Sequence, residues 1–422
     1  MRTFKAGKPG MADRPPLCRF CSAPLSHSFV DLGETPLANS YLTAEDAAAG
    51  LDKKYPLHAR VCASCFLVQV DEAVPPQAIF SHYAYFSSYS DTWMEHAKRY
   101  AKTMQARLAL DASSQVIEVA SNDGYLLKHF IAMGVPVLGV EPAANVAAAA
   151  LAAGIPTEVA FFGSETAQRL RASGIGADLM VANNVLAHVP RILDFTKGFE
   201  LLLKPEGVAT FEFPHVLNLI RDLQFDTIYH EHYSYLSFLT VQKIFAAAGL
   251  RVFDVEELST HGGSLRVFAC KAASRREATE RLASLAQKER DLHLDGLSGY
   301  EGFAARVDEA EAAYRAFAAS ARRAGKRIAA YGAAAKGNTF LNVCGVTSRD
   351  IVCVFDRSKE KQGKVLPGSH IPIVAPDRLE QVRPDYLLIL PWNLADEVMA
   401  ETARIRGWGG RFVTAIPNVR IV

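Results

Sequence analysis

Two pairs of closely spaced cysteines constrain the fold most strongly. Of the seven cysteines in the chain, four form the motifs CRFC (Cys18 and Cys21) and CASC (Cys62 and Cys65). A two-residue spacer lets both sulfurs of a pair reach one ion, and two pairs supply the four thiolates of a tetrahedral zinc site. Redox dithiols or plain buried cysteines are the alternative. A four-thiolate site is closed, so the sequence predicts a structural zinc that holds a small N-terminal domain together.

Length and charge limit the class of protein. A chain of 422 residues exceeds one ordinary core, so two or three domains are expected. Lys and Arg number 46 against 45 Asp and Glu, and no block of like charge stands out, which argues against nucleic-acid binding. Residues 1–12 lack an apolar signal core and read as a disordered lead-in, and no apolar run is long enough to span a membrane. The sequence therefore predicts a cytoplasmic protein.

Alternating strand and helix patterns predict an α/β fold. Segments such as QVIEVA, VPVLGVEP, ADLMVANN and VATFEFP read as buried strands separated by helical segments, which is typical of a doubly wound parallel sheet. Residues 271–325 are charged and Ala-rich, and read as solvent-facing helices that link domains. KRIAAYG, DIVCVFD and PDYLLILP then predict a second, smaller Rossmann-like sheet. The expected domains are residues 13–75, 76–255 and 256–422.

The turn after the first strand of the central sheet is a candidate cofactor site. Ligands of such sheets bind at the carboxyl ends of the strands. Glu141, about twenty residues beyond Glu118, ends the next strand and could accept hydrogen bonds from ribose hydroxyls. Ala120 and Asn122 replace the glycines that a pyrophosphate needs, which favours a nucleoside without phosphates, such as S-adenosylmethionine; capping of loops by the two glutamates is the alternative. The predicted contacts are Glu118, Ala120, Ser121, Asn122, Asp123, Gly124, Glu141, Pro142, Asn183 and Asn184.

The order of the motifs resembles a known family. MVANNVLAHVPRILDF and LLLKPEGVATFEFP resemble the core of class I methyltransferases. Combined with the cysteine pairs, YHEH (229–232) and YGAAAKGN (331–338), the chain from Cys18 onward resembles the sugar-nucleotide C-methyltransferases, which methylate a carbon of TDP-linked 4-keto-deoxysugars. The resemblance implies a zinc-binding domain, a central S-adenosylmethionine domain and a C-terminal domain that binds the nucleotide. It also implies C-3' of the sugar as the methylated carbon.

Methylation of a carbon beside a ketone requires a base and stabilisation of the enolate. A base that titrates near neutral pH suits histidine. By resemblance His232 is the base and Glu231 orients it or binds the sugar, while Tyr229 could donate to the enolate or serve as the base. His188 and Tyr83 resemble the other active-site side chains of the family. The two histidines of H-E-H are too closely spaced for a typical zinc site, but a solvated polar loop stays open as an alternative.

The C-terminal motif YGAAAKGN predicts a diphosphate site. Small side chains after a strand let backbone N–H groups approach a phosphate, and Lys336 adds positive charge. Because the spacing differs from that of a P-loop, the diphosphate is expected to belong to the substrate. A degenerate domain without a ligand is the alternative. The predicted substrate contacts are Tyr331, Gly332, Lys336, Asn338, Asp356 and, in HGGSLR, His261.

Three other functions fit parts of the pattern. A methyltransferase acting on oxygen or nitrogen would need a base but no enolate. An NAD-dependent sugar dehydrogenase would use one of the two sheets, although the poor glycine fingerprint argues against it. A scaffold protein would use the zinc domain to bind partners and would have no turnover.

Overall fold

The computed structural model describes residues 15–80, 88 and 91–422. The predicted lead-in and Tyr83 lie outside these residues. Among the described residues, no helix is both long and apolar enough to cross a membrane.

The N-terminal domain is built on a small antiparallel sheet. Its own strands are β1 (His27–Pro36), β2 (Lys54–Val61) and β3 (Val68–Val70), accompanied by helices α1 (Ala44–Ala48) and α2 (Pro76–Phe80). A fourth strand, β9 (Ser234–Tyr235), comes from the segment that follows YHEH and pairs with β3, with Gln69 opposite Ser234. The candidate catalytic segment is therefore tied to the sheet of the N-terminal domain.

The central sheet confirms the predicted doubly wound architecture. Its strands are β4 (Val116–Val119), β5 (Val137–Val140), β6 (Thr157–Glu158), β7 (Ala177–Asn183), β8 (Leu203–Pro214), β10 (Leu250–Leu258) and β11 (Ser264–Lys271), in the order β10-β11-β8-β7-β4-β5-β6. The strands from β8 to β6 are parallel. The chain order reverses between β7 and β4, which is where such sheets bind ligands.

Helices cover both faces of this sheet. They are α3 (Asp91–Leu108), α4 (Leu127–Ala132), α5 (Ala144–Ala152), α6 (Ser164–Ala172), α7 (Ile192–Leu202) and α9 (Phe238–Ala247). The short helix α8 (Val216–Arg221) packs instead in the cluster of the N-terminal sheet. At the β8 edge, β11 and β10 add an antiparallel hairpin, so the sheet continues to Lys271, beyond the boundary expected at residue 255. The HGG turn reverses the chain within this hairpin, and all three of its residues have positive φ.

The C-terminal domain carries the second parallel sheet. Its strands are β12 (Ile328–Tyr331), β13 (Val354–Phe355), β14 (Ile373–Val374), β15 (Tyr386–Ile389), β16 (Arg411–Thr414) and β17 (Arg420–Ile421), in the order β14-β13-β12-β15-β16-β17. Only the last pair, β16 and β17, is antiparallel. Helices α12 (Ala335–Val343), α13 (Leu379–Val382) and α14 (Ala395–Glu401) accompany the strands.

Two charged helices join the sheets. These are α10 (Arg281–Asp291) and α11 (Phe303–Arg323), as the sequence predicts. They are not simply solvent-facing, because one face of α11 is buried and Phe303 stacks on Phe29 of β1 with ring centroids 4.4 Å apart. One hydrophobic cluster runs from the N-terminal sheet through α11 into the C-terminal sheet. The N-terminal and C-terminal sheets thus share a core through α11, while the residues around the cysteine pairs pack with the central sheet in a second cluster.

A buried carboxylate on α10 fixes the start of α9. Glu289 is fully buried and accepts hydrogen bonds from the backbone amides of Phe238 (2.5 Å) and Leu239 (2.8 Å). His215 Nε2 lies 2.6 Å from the same carboxylate. The first amides of a helix lack hydrogen-bond partners within the helix, and a carboxylate supplies them. Its negative charge also interacts favourably with the positive end of the helix dipole.

Replacing this carboxylate should destabilise the whole chain. Glu289→Ala leaves two amides and His215 buried without their acceptor, which costs about 3 kcal/mol in the free energy of unfolding. Thermal unfolding measures the loss, with Glu309→Ala, at an exposed position of α11, as the control. The control should stay within about 0.5 kcal/mol of the parent chain. Equal midpoints for the two variants would contradict this role of Glu289.

Candidate active site

The four cysteines of the two motifs converge on one point. Their Sγ atoms all lie within 4.8 Å of one another, with 3.5 Å between Cys18 and Cys65 and 3.5 Å between Cys21 and Cys62. Zinc–thiolate bonds of about 2.3 Å in a tetrahedron require sulfurs about 3.8 Å apart, so the cluster fits this ion. With four thiolates as ligands, no position is left for a substrate, and the zinc is structural.

The cysteine cluster is connected to the YHEH segment through β3. Gln69 of β3 donates from Nε2 to Cys18 Sγ (3.2 Å) and pairs with Ser234 in β9. The amide of the next residue, Val70, donates to the carbonyl of Tyr233 (3.2 Å). The metal site therefore supports the strand that follows the candidate catalytic residues.

The carboxyl edge of the central sheet collects buried polar atoms that lack partners. No hydrogen bond of normal length and angle to any described residue is made by Ser121 Oγ, by either carboxylate oxygen of Glu118 or by the Oδ1 atoms of Asn183 and Asn184. Tyr125 interacts with Glu118 and Asn183 at longer range. Burial raises the pKa of Glu118 well above its ordinary value, and an interaction with Tyr125 offsets this only in part. Buried polar groups are normally paired, so this cluster indicates a polar ligand at the edge.

Glu141 both caps the turn and faces this edge. Its carboxylate accepts from the backbone amides of Asn122 (2.9 Å) and Ala143 (2.8 Å), which bears out the loop-capping interpretation for this residue. Each oxygen retains a second lone pair, so capping does not exclude a ribose. Burial raises the pKa of Glu141. Pro142 follows directly.

The turn itself has unusual backbone geometry. Ala120 and Asn122 have φ of 56° and 51°, and Gly124 has φ of 78°. A Cβ on Gly124 would lie 2.0 Å from Ile155 Cδ1, so only glycine fits there. Asp123 accepts from the backbone amide of Ser88 (3.2 Å). Strained residues of this kind cluster at ligand sites, which agrees with the predicted position of the cofactor.

Tyr229 and His232 form a hydrogen-bonded pair. His232 Nδ1–H donates to the carbonyl of Thr227 (2.8 Å), so Nε2 carries no proton and accepts from the Tyr229 hydroxyl (2.8 Å). The two rings lie 4.0 Å apart, on the same face of the turn. Burial lowers the pKa of His232 well below its ordinary value, so the imidazole is neutral at pH 7. A neutral imidazole beside a hydroxyl can accept a proton through it.

His188 and Glu231 complete the cluster. His188 Nδ1–H donates to the Glu231 carbonyl (2.8 Å), and its ring lies 4.7 Å from that of His232. Burial lowers the pKa of His188 to about 4 and raises that of the Glu231 carboxyl to about 7. Glu231 Oε1 accepts from Asn39 Nδ2 (2.7 Å). Sequence reasoning missed Asn39, which lies in LGETPLANSYL between the cysteine pairs.

Lys336 of the C-terminal domain lies within electrostatic reach of His232 and His261, across the space between the central and C-terminal domains, hereafter the cleft. Its ammonium contacts Asn393 and lies 4.6 Å from the ring centroid of Trp392. Trp392 Nε1 donates to Asp226 (2.7 Å), a buried carboxyl whose pKa burial raises to about 6. Burial also lowers the pKa of Lys336, and its charge in turn helps to lower that of His232.

His261 lies between the cofactor edge and Lys336. Its Nε2 is 3.1 Å from Asn184 Nδ2, and its backbone is left-handed with φ of 53°. Burial, and then the charge of Lys336, lower the pKa of His261 to about 4. Gly262 is required next to it, because a Cβ there would lie 2.4 Å from the Trp392 ring. The HGG turn thus lines the cleft between the domains.

The other predicted substrate residues shape the loop after β12. Asp356 accepts from the backbone amides of Ala333 (2.7 Å) and Ser358 (2.8 Å). Gly332 has φ of 87° and approaches Pro391 too closely to carry a Cβ. Tyr331 and Asn338 are buried, and Asn338 Oδ1 lies 3.3 Å from Asn342 Nδ2. These contacts stabilise the loop. Among the predicted substrate contacts of the C-terminal domain, Lys336 is the one whose charge acts on His232 and His261.

Family models match three consecutive parts of the chain. They are "Putative zinc binding domain" over residues 18–80, "Methyltransferase domain" over 93–255 and "C-methyltransferase C-terminal domain" over 259–417. C-methyltransferase NovU of Streptomyces niveus is 35% identical over 405 residues, which cover 96% of each chain.

Solved methyltransferases resemble part of the chain. An S-adenosylmethionine-dependent methyltransferase from Clostridium acetobutylicum covers 42% of this chain and 92% of its own, with 10% identity and a TM-score of 0.35. Magnesium protoporphyrin IX methyltransferase from Synechocystis, with bound S-adenosylmethionine, covers 43% and 82%, with 14% identity and a TM-score of 0.32. TM-scores this low support no conclusion on their own.

Loss of the metal should loosen the strand that follows YHEH. Removal of zinc by a chelator, or Cys62→Ser, takes away the bonds that hold Cys18 and Gln69, so the amide of Val70 should exchange with solvent faster. Hydrogen exchange followed by mass spectrometry would measure this, with the amides of β4 and β7 as the internal reference. Cys353→Ala, a lone thiol in the C-terminal domain, should keep the zinc. Unchanged exchange in β3 after metal loss would contradict the connection.

Proposed function

Because the chain belongs to the C-methyltransferase family, we propose that it methylates a TDP-linked 4-keto-deoxysugar at a carbon next to the keto group, C-3' by the family resemblance. Membership of the family makes S-adenosylmethionine the methyl donor and carbon the acceptor, and it sets aside the three other functions considered from the sequence. The observation that carries the proposal is the buried, neutral Tyr229–His232 pair beside His188, in a chain whose central sheet presents the cofactor edge.

The carboxyl edge of the central sheet is the proposed cofactor site. When bound, S-adenosylmethionine supplies a methyl group on a sulfonium, which a carbon nucleophile can attack. Glu141 would accept from the ribose hydroxyls, and the unpaired oxygens of Glu118, Asn183 and Asn184 would take the remaining donors. The turn from Ala120 to Gly124 lets its backbone come close to the ligand.

Tyr229 and His232 are the proposed base. The hydrogen bond between them supports a relay, in which the Tyr229 oxygen takes the proton from the sugar carbon while its own proton passes to His232 Nε2. The alternative is direct removal of the proton by His232. The ketone then becomes an enolate whose carbon is nucleophilic. His188 Nε2 and the Glu231 carboxylate, both acceptors, would bind sugar hydroxyls.

The start of α12 is the proposed diphosphate site. The helix has nine residues, and its first amides and dipole favour an anion. Lys336 contributes a full charge at this end. Burial lowers the pKa of Lys336 and Asp226 raises it, and a diphosphate would likewise favour the charged ammonium.

The test is a reaction of the zinc-loaded protein with S-adenosylmethionine and a panel of TDP-4-keto-deoxysugars. Mass spectrometry detects the added methyl, and NMR places it. A 4-keto sugar has two flanking carbons, C-3' and C-5', and we expect the methyl at C-3'. A methyl at C-5' would correct the position. A methyl on oxygen, or cofactor binding without turnover on any member of the panel, would overturn the proposed substrate.

Variants of the proposed base should stop proton removal but not cofactor binding. His232→Asn should lower kcat by at least about a hundredfold. It should also stop the uptake of solvent deuterium beside the ketone, while the affinity for S-adenosylmethionine, measured by calorimetry, stays within a few-fold. If the relay operates, Tyr229→Phe should lower kcat and stop deuterium uptake in the same way as His232→Asn. The control is His230→Gln, because His230 points to Pro56 of the N-terminal sheet. Retained deuterium uptake in both base variants would rule out the pair.

A further inference from the structure

One segment of the N-terminal domain lies between the catalytic cluster and the loop after β12. Asn39 donates from Nδ2 to Glu231 Oε1 (2.7 Å). Two residues later, the Tyr41 hydroxyl donates to the carbonyl of Ala333 (2.6 Å). Leu42 then forms a β-bridge with Val365 of the C-terminal domain. Residues 39–42 are thus held at both ends by the two domains that form the cleft.

The carboxylate of Glu231 has unusually little support for its charge. The side chain is buried, and no Lys or Arg among the described residues pairs with it. The charged or titratable groups around it are Tyr41 from the N-terminal domain, Tyr233 on the same segment and His188, which bonds its main-chain carbonyl. The Asn39 amide is the interaction that favours the ionised form. This amide is therefore well placed to set both the orientation and the charge of the carboxylate.

The position of Asn39 is itself fixed by the loop after β12. The Tyr41 hydroxyl lies 3.3 Å from Asn39 Oδ1. The Lys361 ammonium lies 5.2 Å from the Tyr41 ring centroid and donates to the Ala333 carbonyl (2.9 Å), so the tyrosine is held on two sides. Because Glu231 Oε1 is an acceptor, the NH₂ group of Asn39 faces Glu231 and the amide oxygen faces Tyr41.

We propose that Asn39 is a positioning residue that the zinc-binding domain supplies to the active site, where it keeps the Glu231 carboxylate ionised and aimed at the sugar. The inference rests on the proposed function, in which Glu231 binds a sugar hydroxyl as an acceptor. It gives the N-terminal domain a part in substrate recognition in addition to its structural part. Sugar binding then depends on the ionised fraction of Glu231.

The pH dependence has a definite sign. Burial raises the pKa of Glu231 to about 7, and the hydrogen bond from Asn39 opposes that rise. Removing the amide therefore raises the pKa further and lowers the ionised fraction at neutral pH. Loss of one charge-assisted hydrogen bond should raise the pKa of Glu231 by about one unit. Asn39→Asp should raise the pKa at least as far, because two carboxylates would then face each other.

The experiment compares Asn39→Ala, Asn39→Asp and the control Ser40→Ala, an exposed neighbour, in the full zinc-loaded chain. In the plot of kcat/KM against pH, the ascending limb should shift to higher pH by about one unit in Asn39→Ala and at least as far in Asn39→Asp. At a fixed pH on the limb, kcat/KM should therefore fall about tenfold. At high pH both variants should approach the parent enzyme. Zinc content, the unfolding midpoint and the affinity for S-adenosylmethionine should match those of the control.

A second readout does not depend on turnover. The protein is labelled with ¹³C at glutamate carboxyls, and the Glu231 signal is assigned by its loss in Glu231→Gln. Its titration should shift upward in both Asn39 variants. Unshifted titration overturns the inference even if activity falls, because the fall is then structural. If the parent enzyme methylates no sugar, the proposed function fails, and the titration still decides the contact between Asn39 and Glu231. If Glu231→Gln is fully active, the proposed function stands but the sugar-binding role of Glu231, and with it this inference, is overturned.

Discussion

The pairing of β3 with β9 is the interaction on which the proposed active site depends. Only two residues of each strand take part, yet they place the end of the YHEH segment in the sheet of the zinc-binding domain. Gln69 couples this pairing to the cysteine cluster by its bond to Cys18. The metal stabilises a domain too small to bury a large core alone, and that domain in turn fixes the segment on which the proposed chemistry relies.

The cleft keeps its titratable groups in states suited to removing a proton from carbon. Burial leaves His188 and His232 neutral at pH 7, so each ring has one unprotonated nitrogen, which in His232 accepts from the Tyr229 hydroxyl. Lys336 reinforces this for His232 by its positive charge. The same low polarity that keeps the imidazoles neutral makes a carboxylate costly, which explains why Glu231 needs the Asn39 amide. Charge is thus concentrated at the start of α12, where a diphosphate would lie.

The sequence predicts well those features that depend on local spacing. Both cysteine pairs and the alternation of strands and helices are encoded within a few residues of one another, and the structure bears them out. Contacts between distant segments were not predictable in this way. Nothing local to LGETPLANSYL indicates that Asn39 meets Glu231, and nothing in the charged pattern of α10 shows that Glu289 is buried against α9. Apolar faces of α10 and α11 were likewise hidden by their many charged residues.

The pairing of β3 with β9 has a consequence for biosynthesis. Gln69 and Ser234 are separated by about 160 residues, which a ribosome needs roughly ten to thirty seconds to add at the usual rate. During that interval the edge of β3 lacks its partner and can pair with strands of other chains. The nascent chain therefore passes through a period in which its first domain can already bind metal but remains prone to aggregation, and the active site is assembled only after the central domain has been made.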